Sequence, residues 1–259
     1  MKRVLITGET GYIARNLLAF LQTEGFSAEC VSLRHGLPYN LADYDTVVHC
    51  AAVVHRQFAS KREYYRVNTE LTYKLATAFK RAGGQHFIFL STMAVYGRDG
   101  NLHGREVIGA DTETRPRGHY ARSKLLAEMA LRRLHGRGFT VAILRPPMVY
   151  GRHCPGNFAA LRQIAAFAPV FPLVRNKRSM LHIGKLCGII RETALEELGG
   201  TFHPRDSRPR RTSDIVAGLA QSQGRGLYLS GRLGRLVCML DAAPVRKAFG
   251  SLTYDEELV

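Results

Sequence analysis

The chain has 259 residues, 46% of them hydrophobic and 22% charged, with 25 Gly and 10 Pro spread along its length. That composition excludes a disordered or collagen-like chain and allows one sizeable α/β core with a small lobe attached. Lys and Arg number 37 against 21 Asp and Glu, a formal net charge of +16. The arginines are scattered and no nucleic-acid motif accompanies them. A solvated basic surface with a few phosphate-binding arginines is therefore expected, rather than a nucleic-acid partner.

Met1-Lys2-Arg3 opens like a signal peptide, but the apolar run that follows is only Val4-Leu5-Ile6. No apolar run approaches the ~20 residues that span a bilayer, so a cytoplasmic protein with no membrane partner is expected. The five cysteines, Cys30, Cys50, Cys154, Cys187 and Cys238, lack a C-x-x-C pair. That argues against zinc and a disulfide framework and fits reduced thiols; no metal site is expected.

In chain order, residues 3–7 predict an apolar strand, and residues 12–24 a helix with Ile13, Leu17, Leu18 and Leu21 at helical spacing. Further strands are predicted at 28–33, 46–50, 86–91 and 139–145, and helices at 61–81 and 120–136. Uninterrupted apolar strands separated by helices predict a parallel sheet covered on both faces, a doubly wound Rossmann α/β fold over residues 1–150. After Pro146-Pro147 the alternation weakens. Residues 151–180 read as loops around a site, a helix at 184–197 returns to the sheet, and from about 200 the chain reads as short elements. Residues 151–259 are expected to form a small C-terminal substrate lobe.

Gly8-Glu9-Thr10-Gly11-Tyr12-Ile13-Ala14 lies between the first strand and the first helix. Glycine at 8 and 11 permits a tight turn that brings backbone N–H groups to a pyrophosphate, with Thr10, Tyr12 and Ile13 completing the turn. Ala14 is small enough for close helix–strand packing. The helix N-terminus then faces the negative charge. At the end of the second strand, where NAD-binding folds carry an acid for the ribose, stand Ser32, Leu33 and Arg34. A hydroxyl and a guanidinium suit a 2′-phosphate better, tilting the cofactor from NAD towards NADP.

Tyr120 and Lys124 are four apart, on one helix face. A phenol becomes a useful base only when a nearby cation stabilises its phenolate, which Lys124 can supply. Ser91 and Thr92 leave the fourth strand at its carboxyl end, where doubly wound folds bind ligands.

Taken together, Thr7-Gly8-x-x-Gly11-x-x-Ala14, His49-Cys50-Ala51-Ala52, Tyr65-Arg66-Val67-Asn68, Ser91-Thr92-x-x-Val95-Tyr96-Gly97, Tyr120-x-x-x-Lys124 and Arg145-Pro146-Pro147-Met148-Val149-Tyr150-Gly151 resemble the extended short-chain dehydrogenase/reductases. Within them the chain is similar to the NAD-dependent epimerase/dehydratase family, of the UDP-glucose 4-epimerase-like kind. The resemblance implies that Thr92, Tyr120 and Lys124 are catalytic. It places Cys50, Ala51, Ala52, Ser91 and Pro147 along the cofactor, Tyr120 and Lys124 also against it, and Asn68 beneath it. It puts Thr92, Met148, Asn157 and Arg178 on a nucleotide-diphosphate sugar, with Asn157 and Arg178 at the diphosphate. It also implies a homodimer built on the 61–81 and 120–136 helices. Met148 stands where many epimerases carry an Asn that touches the sugar.

Three functions follow as expectations. The first is C4 epimerisation of the sugar through a 4-keto intermediate. The second is an NADPH-dependent 4-ketoreductase, towards which Ser32, Arg34 and Met148 lean. The third is a non-catalytic Rossmann protein that senses nicotinamide cofactors or binds nucleic acid, against which an intact Thr92, Tyr120 and Lys124 argue.

Overall fold

Residues 2–54 and 59–258 are described by a computed structural model of the chain. The first half holds β1 (Arg3–Thr7), α1 (Tyr12–Thr23), β2 (Ser27–Val31), β3 (Thr46–His49), α2 (Lys61–Tyr65), a π-helical turn (Arg66–Glu70), α3 (Leu71–Arg81), β4 (His86–Leu90), β5 (Val107–Ile108), α4 (Gly118–Arg132) and β6 (Thr140–Leu144). The second half adds β7 (Met148–Tyr150), α5 (Asn157–Phe167), β8 (Val170–Pro172), β9 (Met180–His182), α6 (Ile183–Leu195), β10 (Gly200–Phe202), α7 (Thr212–Ser222), β11 (Tyr228–Ser230), α8 (Gly231–Met239), α9 (Ala243–Phe249) and β12 (Thr253–Tyr254).

Six strands form one parallel sheet in the order β10-β6-β4-β3-β1-β2. Alternate strand residues point to opposite faces, and each face is dry. Val4, Ile6, Val48, Ile88 and Leu144 pack with Leu17 and Leu21 of α1 and Leu186 and Ile190 of α6. Leu5, Val47, Phe87, Phe89 and Ile143 pack with Leu75 and Phe79 of α3 and Ala127 and Leu131 of α4. Strands buried on both faces need apolar residues at every position, which is why they read as continuous runs. β1 lies between β2 and β3, so the chain leaves the sheet in opposite directions there. The crevice at the carboxyl ends of β1 and β3 is the ligand position of such a fold.

Three expectations about the elements need correction. The single helix over 61–81 is broken by the π-helical turn at Arg66–Glu70. Within 151–180, read as loops, α5 is a regular helix whose Phe158 and Ala165 are buried, packed beside Ile215 and Val216 of α7. Its signal is weak because its partner helix lies some 50 residues away in the chain. Finally, Gly200–Phe202 is the sixth strand of the main sheet, hydrogen-bonded to β6. A glycine-led strand of three residues carries no periodicity, and the open edge of β6 recruits it. The small lobe is built from two-stranded parallel ribbons, β7 with β9 and β8 with β11, and helices α5, α7, α8 and α9. Among the described residues no helix is long and apolar enough to cross a membrane.

Candidate active site

Gly8 adopts φ +95°, and a Cβ there would lie 2.9 Å from the Ala51 backbone nitrogen. Only glycine combines that conformation with that approach. The turn is closed by Gly11 N–H donating to the Gly8 carbonyl at 2.7 Å. Gly11 then caps α1 with no side-chain hydrogen bond and no acid in the first turn. The leading N–H groups of α1 are thus left for an anion. In front of them opens a crevice of about 520 Å³ whose lining includes Gly8, Thr10, Gly11, Ser32, Arg34, Cys50, Ala51 and Ala52. These residues fit a dinucleotide.

The side chains of Tyr12 and Ile13 turn away from this crevice. Ile13 packs on the sheet, and Tyr12 packs with Met148, Tyr150 and Cys154 at the edge of the small lobe. Only their backbone belongs to the cradle. Arg66 and Lys74 also line the crevice, together with Glu9, Glu63 and Glu70. Sequence reasoning missed both cations, since only the docking of the π-helical turn, which carries Arg66, and of α3, which carries Lys74, beside the chain after β3 brings them there.

Thr92 and Tyr120 meet at the carboxyl edge of the sheet, joined by a side-chain hydrogen bond. Thr92 caps the short 3₁₀ turn Met93–Tyr96 and accepts from Ala94 N at 3.2 Å. Burial pushes the Tyr120 phenol up to about 12; the bond to Thr92 opposes that rise and Tyr64 adds to it. Lys124, one turn further along α4, is 2% exposed. Its Nζ donates to the Leu90 carbonyl at 2.6 Å and lies 4.5 Å from the Phe89 ring centre. Burial lowers its pKa to about 8. The expected lowering of the Tyr120 pKa by Lys124 is therefore not what this geometry produces. The ammonium is anchored to the end of β4, and desolvation dominates at the phenol.

The π-helical turn explains how α4 is held to the crevice. It places Asn68, fully buried, where Oδ1 accepts from Val53 N at 2.7 Å and Nδ2 donates to Val53 O at 3.0 Å. Nδ2 also reaches Ser123 Oγ at 3.0 Å, and Ser123 Oγ donates to the Tyr120 carbonyl at 2.9 Å. Below them His49 bridges Thr7 Oγ1 at 2.7 Å and Thr72 Oγ1 at 2.9 Å. Burial, with Lys124 second, depresses its pKa to about 3, so it stays neutral.

Ser91 is not in the crevice. Its hydroxyl donates to Glu128, which also takes Arg145 bidentately at 2.6 and 3.1 Å. Arg145 continues to Tyr96 Oη at 2.8 Å, and that hydroxyl bonds His203 Nε2 at 2.8 Å. The cofactor role expected of Ser91 is corrected by this commitment. Glu128 was missed, although a carboxylate one turn after Lys124 among Leu125, Ala127 and Leu131 is a readable anomaly.

Pro147 is buried between β6 and β7, and Met148 is half-buried where β7 pairs β9. Asn157 is the exposed first residue of α5. Arg178 does not fit the diphosphate role. Its Nη1 donates to the carbonyls of Gly250 at 2.7 Å and of Asp99 and Arg246 at 3.4 Å, tying down the end of α9. Burial accordingly lowers its pKa.

A six-stranded doubly wound sheet with a glycine turn, an uncapped helix and a Thr–Tyr pair at its carboxyl edge defines a nucleotide-binding Rossmann protein of the short-chain dehydrogenase type. The profile of the NAD dependent epimerase/dehydratase family matches residues 39–182, and the chain belongs to that family. It is 31% identical to UDP-glucose 4-epimerase of Vibrio cholerae over 216 residues, which is 73% of this chain and 65% of that enzyme. It is 27% identical to the N-acetyl-alpha-D-glucosaminyl-diphospho-ditrans,octacis-undecaprenol 4-epimerase of Escherichia coli O157:H7, over 90% of this chain and 77% of that one. UDP-N-acetylglucosamine 4-epimerase of Bacillus cereus superposes with a TM-score of 0.73 at 17% identity, covering 95% and 97% of the two chains. dTDP-4-dehydrorhamnose reductase of Bacillus anthracis, solved with NADP, does so at 0.71 and 18%, covering 94% and 87%. At such identities these structures share the fold.

Proposed function

We propose that the protein is an NAD(P)-dependent enzyme acting on the sugar of a nucleotide-diphosphate sugar, and that it epimerises C4 through a 4-keto sugar. The observation that carries this reading is the hydrogen bond between Thr92 and Tyr120, set beside a crevice whose helix α1 has no side-chain cap and no acid in its first turn. The nicotinamide, when bound, supplies and accepts the hydride. Tyr120 takes the proton from the C4 hydroxyl as the ketone forms and returns it as the alcohol reforms. Thr92 orients the same oxygen by hydrogen bonding. Lys124 places a positive charge behind the phenol. Residues 1–150 hold the cofactor, and Met148 at the end of that segment meets the substrate together with Asn157 of 151–259.

Ser32 and Arg34 line the crevice and favour a second reading, a 4-ketoreductase that consumes NADPH. The exposed apolar residues Tyr73, Leu126 and Met129 on α3 and α4 support a homodimer through these helices.

The test begins by denaturing freshly purified protein and identifying any released dinucleotide by mass. The protein is then incubated with UDP-glucose and UDP-N-acetylglucosamine, and the C4 configuration is followed by NMR. Retained NAD with C4 inversion supports the epimerase. An empty site that takes up NADPH and reduces a 4-keto sugar nucleotide supports the reductase. Binding of neither dinucleotide sinks both readings.

A further inference from the structure

On the small lobe, α8 packs so closely on the β8 side that a Cβ on Gly234 would lie 2.1 Å from the Leu173 carbonyl. Gly234 is buried, and Leu233, Val237 and Cys238 share its inward side. The opposite face carries Leu236 at 58%, Met239 at 79% and Leu240 at 64% exposure. On a helix the same outward arc includes Arg232 and Arg235. Neither arginine has an ion-pair partner among the described residues. At the base of α8 lies an open hollow of about 1060 Å³ lined by Leu173, Arg175, Tyr228, Arg232 and Arg235, among others, with no acid in its lining.

We propose that α8 and this hollow are a peripheral docking surface for an anionic lipid bilayer. Arg175, Arg232 and Arg235 engage lipid phosphates, while Leu236, Met239 and Leu240 enter the acyl boundary. Cations interleaved with long aliphatic side chains on one outward arc suit an interfacial helix, because arginine stems can lie along the apolar layer with their heads at the phosphates. The chain's +16 charge adds long-range attraction to an anionic leaflet. A second copy is the poorer occupant, since a two-fold pairing would set Arg232 and Arg235 against themselves. An acidic protein would satisfy the charge but not the projecting aliphatics, because protein interfaces concentrate their energy in aromatic and Arg anchors seated in pockets. The absence of a spanning helix bears only on crossing a membrane, not on lying against one.

The chain contains no tryptophan, so Leu236→Trp provides a reporter without background. The full-length variant is mixed with phosphatidylcholine vesicles and with vesicles one-third phosphatidylglycerol. Co-sedimentation of the wild type is measured beside Arg232→Gln/Arg235→Gln and Leu236→Gln/Met239→Gln/Leu240→Gln, each checked for an unchanged thermal midpoint. The expected result is a blue shift of the introduced indole's emission with the anionic vesicles alone, and binding weakened at least tenfold by either set of substitutions. Unmoved emission would overturn the proposal. So would binding insensitive to the apolar substitutions, or binding fully competed by poly-glutamate, since these describe a cationic protein adhering by charge alone.

Discussion

Asn68 Nδ2 lies 3.0 Å from Ser123 Oγ, and this bond joins the wall of the cofactor crevice to the helix that carries Tyr120. The same amide satisfies both the N–H and the carbonyl of Val53. Replacing Asn68 by Ala strands these buried groups at about 1–3 kcal/mol for each left unpaired. Asn68→Ala is expected to lower the denaturant midpoint and, by loosening α4, to reduce kcat more than Ser123→Ala does. Equal stability of wild type and Asn68→Ala in urea would show the network to be dispensable.

Tyr120→Phe removes the phenol oxygen and leaves the ring's packing nearly unchanged. General acid–base groups contribute typically ~10²–10⁴-fold, so turnover should fall by at least that much while dinucleotide affinity holds. A variant keeping more than a tenth of wild-type kcat removes Tyr120 from the mechanism.

Lys124 titrates near 8, well below the 10.5 of a free lysine, because it is buried. Between those two values the unfolded chain binds the proton and the folded chain does not, so stability should rise as pH increases through that window. Catalysis should move the other way, declining above pH 8 as the charge behind Tyr120 is lost. Lys124→Met is expected to abolish turnover yet raise Tm at pH 7, by roughly 2–4 °C for each kcal/mol recovered. A lowered Tm in that variant, from unfolding curves recorded at pH 7 and pH 10, would contradict the burial argument.

Arg178→Ala deprives the Gly250 carbonyl and its neighbours of a charged donor, worth roughly 1.5–3 kcal/mol. Stability should fall while KM for the nucleotide sugar changes little. A large rise in KM at unchanged stability would return Arg178 to the diphosphate.

Arg34 and Ser32 line the crevice, and its lining includes no acid from β2 that would repel a 2′-phosphate. NADPH is expected to bind at least as tightly as NADH, and Arg34→Ala to erase most of any preference. Titration of both dinucleotides into both proteins at fixed salt decides the point. Tighter NADH binding, indifferent to the substitution, would make Arg34 a bystander and weaken the reductase reading.

Much of this molecule was legible before folding was considered. The four central strands β1, β3, β4 and β6 announce themselves because both their faces are buried, and the glycine turn, Tyr120 and Lys124 because spacing along one strand end or one helix face is a local property. Those features determined the fold class, the family resemblance and the crevice. What only the tertiary structure decided is which partner each polar group meets. Ser91 and Thr92 are neighbours in sequence, yet a strand end points them to opposite sides, one to Glu128 and the other to Tyr120. Arg178 matches a phosphate-binding motif but is consumed by the carbonyl of Gly250, 72 residues away. Gly200–Phe202 joins the sheet through the vacant edge of β6 rather than through any pattern of its own. Long-range hydrogen bonds and desolvation depend on what folding brings alongside, and no local pattern in the chain encodes that.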